Sequence, residues 1–119
     1  MTTKEIADRL ITLCSSGDFE TAQSELFAED AVSIEPYATD DFEKETKGLE
    51  AIKEKGRKWQ EMVEETHEFS VSAPLVVTYS FAITLRMDVT MKQKGRMNMT
   101  ELCVYTVKDD KIISEEFFV

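Results

Sequence analysis

The period of the apolar residues changes once along this chain, near His67, and that single change dictates most of what it can fold into. Before it, apolar side chains recur at three- and four-residue steps. After it, they alternate, and β-branched and aromatic residues take over. Residues 4 to 15 carry Ile6, Leu10, Leu13 and Cys14 on one helical face; Ser15-Ser16-Gly17 breaks that helix, and Asp18 is placed to cap a second one bearing Phe19, Ala22, Leu26 and Phe27. Ala31 to Glu35 then reads as a short strand ended by Pro36, and residues 37 to 47 as an acidic surface loop or lid. Gly48 opens the longest helix, with Leu49, Ile52, Gly56, Trp59, Met62 and Val63 on one stripe. Strands follow over 67–73, 77–91, 96–108 and 111–118, turned at Ala73-Pro74, Lys92 to Gly95 and Asp109-Asp110. Three helices followed by an antiparallel sheet make an α+β domain in which helices cover one sheet face. At 119 residues there is length for one domain, 1–119, and one core, so any pocket must lie inside it.

Charge and residue counts remove several functions. A formal net charge of -10 repels phosphate backbones and anionic headgroups, so neither nucleic acid nor membrane is an expected partner. No apolar run approaches the roughly 20 residues of a membrane helix, and the acids in Met-Thr-Thr-Lys-Glu-Ile-Ala-Asp interrupt any signal peptide, so a cytoplasmic location is expected. Lys53, Lys55, Arg57 and Lys58 read as a solvated helix face, and Lys92, Lys94 and Arg96 as a charged hairpin tip. Cys14 and Cys103 are too distant in sequence for a Cys-x-x-Cys pair and read as buried thiols, while Met62, Met87, Met91, Met97 and Met99 read as packing. His67 is the only histidine, which removes multi-histidine metal sites and a spare imidazole for a nucleophilic triad; at a strand start it reads as a hydrogen-bonded structural or rim residue. The four glycines form no phosphate-binding loop, and Asp88, Glu101 and Glu116 lack the loop spacing of calcium sites. Neither cofactor nor metal is therefore expected.

Hairpin arithmetic assigns side chains to faces. A two-residue turn at Asp109-Asp110 sets Lys108 opposite Lys111, hence Tyr105 opposite Ser114, Cys103 opposite Glu116 and Glu101 opposite Phe118. With Met91 opposite Arg96, Asp88 faces Met99 and Arg86 faces Glu101. One face then mixes Arg86, Asp88, Glu101, Cys103, Tyr105, Ser114, Glu116 and Phe118; the other holds Phe81, Ile83, Leu85, Met87, Leu102, Val104, Ile113 and Phe117. Either the mixed face lies under the helices and lines a pocket, leaving the apolar face for a second subunit, or the apolar face makes the core and the charges pair at the surface. Glu35 before Pro36 is the best single sign of chemistry, a carboxylate at the end of the first strand. Walls such as Trp59, Met62 and Phe118 would withhold water from it and raise its pKa. Asp88, Glu101 and Glu116 on one face would repel one another, or Arg86 would neutralise Glu101.

FAEDAVSIEP at residues 27–36, the helix pair around Gly17-Asp18, the Gly48-Leu49-Glu50-Ala51-Ile52 helix start and the final hairpin VYTVKDDKIISEEFF together resemble the nuclear transport factor 2-like superfamily, in its SnoaL-like and ketosteroid-isomerase-like branches. The resemblance implies a cone-shaped roll of cystatin-like topology, three N-terminal helices on the concave face of a curved, mostly antiparallel sheet, and a homodimer through the outer sheet face. It thereby favours the mixed face as the pocket wall. It also implies Glu35 as the general base that moves a proton between carbons of a ketone. The positions matching that branch's two oxyanion donors hold Leu10 and Cys103, which donate not at all or poorly, and losing such donors removes orders of magnitude in rate. Steroid-type isomerisation is therefore not expected. The pocket is expected to hold a small apolar or amphipathic molecule oriented by Glu35, Arg86, Asp88, Glu101, Tyr105 and Glu116, with Trp59, Phe118 and His67 around it. Cofactor-free proton transfer, hydration or cyclisation of a carbonyl or polyketide-like compound is the expected chemistry; a non-catalytic ligand-binding or dimerisation module of the same fold is the alternative.

Overall fold

The computed structural model describes residues 1–119. Helix α1 (Thr3–Ser15) starts at a capping box: the Thr2 hydroxyl accepts the Glu5 N–H at 3.1 Å, and the Glu5 carboxylate accepts the Thr2 N–H at 2.8 Å. It buries Ile6, Ala7, Leu10, Leu13 and Cys14 and ends where Gly17 takes φ +78°, a conformation that a side chain would strain. Helix α2 (Phe19–Leu26) buries Ala22 and Leu26; Asp18 stands at its start, yet its side chain makes no capping bond. Strand β1 (Phe27–Ile34) begins four residues before the expected Ala31. Helical periodicity runs on through Phe27 in the sequence, but parallel pairing of Phe27 with Ile112 pulls it into the sheet. Within the segment expected to be loop, Glu45–Lys47 forms strand β2 against β1.

Helix α3 (Leu49–Met62) passes directly into β3 (Val63–Val71), which therefore starts four residues before His67. The short β4 (Leu75–Val76), then β5 (Ser80–Met91), β6 (Gly95–Lys108) and β7 (Lys111–Phe118) complete one sheet of order β2-β1-β7-β6-β5-β3, with β4 also on β5. Every pairing is antiparallel except β1 with β7. Irregularities in the β1–β7, β3–β5 and β6–β7 ladders bend the sheet, and the three helices pack on its inner face. The expected α+β architecture is thus the observed one.

Two registers differ from the expected ones, each by one residue. At the β5–β6 turn Met91 pairs with Gly95, which takes φ +78° and closes the three-residue loop 92–94; Phe81 then faces Tyr105, Ile83 faces Cys103, Leu85 faces Glu101 and Met87 faces Met99. At the β6–β7 turn Asp109 and Asp110 take φ 51° and 64°, and Lys108 does face Lys111, but Ile113 is an extra residue in the ladder. Beyond it Tyr105 faces Glu115 and Cys103 faces Phe117. A one-residue slip turns every later side chain over. Hence Phe81, Ile83, Leu85, Met87, Glu115 and Phe117 point inward, and Arg86, Asp88, Glu116 and Phe118 point outward with Leu102 and Val104. Neither uniform face of the sequence reading exists. The inner end of the sheet packs on the helices through Ile6, Leu26, Ile52, Phe81, Ile83 and Ile112, with the Phe81 and Tyr105 rings stacked at 4.8 Å.

Candidate functional site

A cavity of about 690 Å³ lies between the helices and the inner sheet face. Alternation along β6 sends Tyr105, Cys103, Glu101, Met99 and Met97 toward it in that order, and β5 supplies Leu85, Met87, Val89 and Met91 opposite. From above, α3 adds Lys55, Trp59 and Met62 at i, i+4 and i+7, so the helix and the sheet run from charged to apolar in the same direction. Glu35 enters from just past the end of β1, and Glu115 and Phe117 from β7.

Lys55 organises the charged zone. Its side chain is only 15% exposed, and its ammonium donates to Ser33 Oγ at 2.6 Å and to Glu35 Oε2 at 2.9 Å; Ser33 in turn donates to Glu115 Oε2 at 2.7 Å. One of the three ammonium N–H groups has no partner among these. Burial raises the pKa of Glu115, with the Ser33 hydrogen bond and Lys55 opposing the rise and the charge of Glu35 adding to it. The Glu101 carboxyl makes no hydrogen bond with another residue; burial, then repulsion from Glu35 and Glu115, pushes its pKa up to about 7, with Lys55 offsetting part of the rise. Near neutrality that carboxyl therefore exists in both forms. At the deep end burial drives Tyr105 well above its ordinary value, Cys103 upward, and Cys14 up to about 12, so both thiols stay protonated and unreactive.

Of the expected site residues, Glu35, Trp59, Glu101 and Tyr105 meet in the cavity. Five do not. Arg86 pairs with Glu68 at 3.0 Å on the outer face, and Asp88 is clasped there by the Arg96 guanidinium at 2.8 and 3.0 Å, whose hydrogen bonds hold its pKa below the usual value. Glu116 lies outward beside Val104, and Phe118 is 44% exposed beside Leu102. His67 sits at an irregularity of β3 with Nε2 2.6 Å from Thr90 Oγ1, off the wall of this cavity. The first four are displaced by the two register differences. Glu115 and Phe117 occupy the places assigned to Glu116 and Phe118. Lys55 was missed because it sits in a basic run, although it lies three residues after Ile52 and four before Trp59, on the apolar stripe itself. The methionines read as packing also line the cavity.

The segment after Pro36 closes over part of the opening. Asp41 is tied from two sides, its carbonyl accepting from Lys58 and its carboxylate 3.3 Å from Lys94, while Lys58 lies 5.0 Å over the Phe42 ring. No group of three or more histidine, cysteine or acidic side chains is arranged to hold a metal ion, and no helix is long and apolar enough to cross a membrane.

Three helices on the inner face of a curved sheet, with a closed-ended apolar cavity carrying a few convergent charges, define a small-molecule pocket protein of α+β architecture. The SnoaL-like domain model matches residues 1–119, and the chain belongs to that family. A solved protein from Mesorhizobium loti, named for its likeness to SnoaL-like polyketide cyclases, is 38% identical over 100% of both chains with a TM-score of 0.90. A Xanthomonas campestris protein of unknown function with a cystatin-like fold is 20% identical, covering 99% of this chain and 90% of its own, at a TM-score of 0.82. An NTF2-like protein from Burkholderia thailandensis is 17% identical, covering 99% of this chain and 90% of its own, also at 0.82. The search of curated proteins found no match.

Proposed function

We propose that the cavity performs cofactor-free acid–base chemistry on a small, largely apolar carbonyl compound, of the kind that isomerises or cyclises polyketide-like molecules. The observation that carries this reading is the Glu101 carboxyl turned into the cavity without a hydrogen-bond partner, lining the same cavity as the Lys55 ammonium; burial, which pushes its pKa up to about 7, suits it to take up a proton. The Glu101 carboxylate removes a proton from the carbon next to the carbonyl, and the electron pair moves onto the carbonyl oxygen. Lys55 donates to that oxygen, supplying the charge stabilisation that Leu10 and Cys103 cannot. The proton then returns to a different carbon, which isomerises the compound. Alternatively the nucleophilic carbon attacks a second carbonyl of the same molecule, and protonated Glu101 neutralises the resulting alkoxide, which closes a ring. The resemblance implied Glu35 as the base; its engagement by Lys55 favours Glu101 for the proton and Glu35 for holding Lys55. The similarity to the Mesorhizobium loti protein supports the carbonyl class.

Exchange of α-protons for deuterium in aryl ketones and 1,3-diketones, followed by NMR in heavy water, reads the shared first step. The wild-type protein accelerates exchange, Glu101→Gln lowers the rate by about 100-fold or more, and Glu35→Gln lowers it less. Ketones that bind without any acceleration would leave the non-catalytic binding reading, which the missing donors at Leu10 and Cys103 favour. We further propose a second copy of the chain as partner on the outer sheet face, where Leu102, Val104 and Phe118 form an apolar row.

A further inference from the structure

Five of the six methionines, Met62, Met87, Met91, Met97 and Met99, line this one cavity. They are not scattered: Met87 stands directly opposite Met99 on the sheet, Met97 and Met91 continue the same two strands, and Met62 closes over them from α3 one turn beyond Trp59. Thioethers are polarisable and favour contact with π-systems, and unbranched side chains adjust to different ring shapes. Leucine or valine at these positions would pack equally well without those properties. Along β6 the wall begins one row beyond Glu101, at Met99, and extends to Met97, which lies roughly 13 Å along the strand from Glu101. At the other zone three carboxyl groups, Glu35, Glu101 and Glu115, face one ammonium already bonded to Glu35 and Ser33. An anionic head placed there would add a charge to an existing excess in a desolvated space.

We infer that the pocket selects an uncharged molecule with a flat aromatic or polyunsaturated body, its keto or hydroxyl end at Lys55 and Glu101 and its rings on the methionine wall, and that it rejects carboxylates of the same shape. The placement of the head rests on the proposed function, whereas the selection is read by binding alone, without turnover. Absence of catalysis would therefore leave it standing.

Calorimetric titration with three probes tests it: 2-acetylnaphthalene, 2-naphthoate with the same rings and an anionic head, and cyclohexyl methyl ketone with a saturated body. At pH 8 the naphthyl ketone binds at least 10-fold more tightly than naphthoate, and Glu101→Gln narrows that gap by about 10-fold by improving naphthoate binding. In the Met87→Leu/Met99→Leu variant, whose side-chain volumes are nearly conserved, the naphthyl ketone weakens about 5-fold while the saturated ketone changes less than 2-fold. Naphthoate binding as tightly as the ketone, or unaffected by Glu101→Gln, would overturn the charge selection. Equal weakening of both ketones in the methionine variant would overturn the ring selection, and a thermal melt of each variant identifies any loss due to unfolding.

Discussion

Glu101 carries the sharpest residue-scale consequence, because a carboxyl whose folded pKa lies above its unfolded value destabilises the fold once it must ionise. Below about pH 4.5 both states hold the proton and nothing is lost; as pH rises to 7 the penalty grows, and above 7 it is constant. Glu101→Gln should therefore stabilise the protein at pH 8 by roughly 2–3 kcal/mol, with the difference vanishing by about pH 4, in urea titrations at several pH values. Lys55→Met should act in the opposite sense. It strands Glu35 and Glu115 without their cation, and roughly 2–3 kcal/mol should be lost near neutral pH, read by the same titrations. The two residues also mark what the sequence could tell. Glu35, Trp59, Glu101 and Tyr105 were legible because strand alternation, the apolar stripe of α3 and a carboxylate before proline are local signals. Lys55 sits on that stripe too, yet neighbouring lysines and arginines disguise it, and only the long-range placement of Ser33 and Glu35 shows why a charge belongs there.

At the scale of elements, helices α1 and α3 and the strands β5 to β7 follow from period alone, while the two hairpin registers do not. Pattern places a turn but does not count its residues. Gly95 signals the three-residue loop in retrospect, since a glycine with positive φ is the usual closing residue of such a turn. Ile113 gives no such sign: an isoleucine inside an alternating strand looks like any core residue, and its status as an extra residue comes from the β1–β7 pairing that β7 must also satisfy. The same competition moves the start of β1 from Ala31 to Phe27. The β6–β7 turn offers a direct test, because Asp109 and Asp110 both occupy the left-handed region, where a side chain is unfavourable. Asp110→Gly should stabilise the protein by about 0.5–1 kcal/mol in denaturant melts without changing the register. Deleting Ile113 should remove the bulge yet keep Glu115 opposite Tyr105 and Phe117 opposite Cys103, because Ile112 and Ser114 would then pair with Val107 and Thr106 in unbroken alternation.

For the whole molecule, the arrangement separates two jobs between the sheet's faces. The inner face makes a core at one end and a cavity at the other, and the outer face carries ion pairs such as Arg86 with Glu68 and Asp88 with Arg96 beside the Leu102, Val104 and Phe118 row. Pairing of two copies through that row predicts a dimer in sedimentation at micromolar concentration and a monomer for Leu102→Asp, with the cavity unaffected; a wild-type monomer would end the proposed partner. The proposed chemistry depends on β6 turning the Glu101 carboxyl into a water-poor space, which shifts its ionisation toward neutrality. Carbon-13 NMR titration of the glutamate carboxyls, with Glu101 assigned through Glu101→Gln, measures this directly. A midpoint near 7 is predicted; a midpoint near 4.5 would mean the carboxyl is solvated and that the cavity holds no acid–base group.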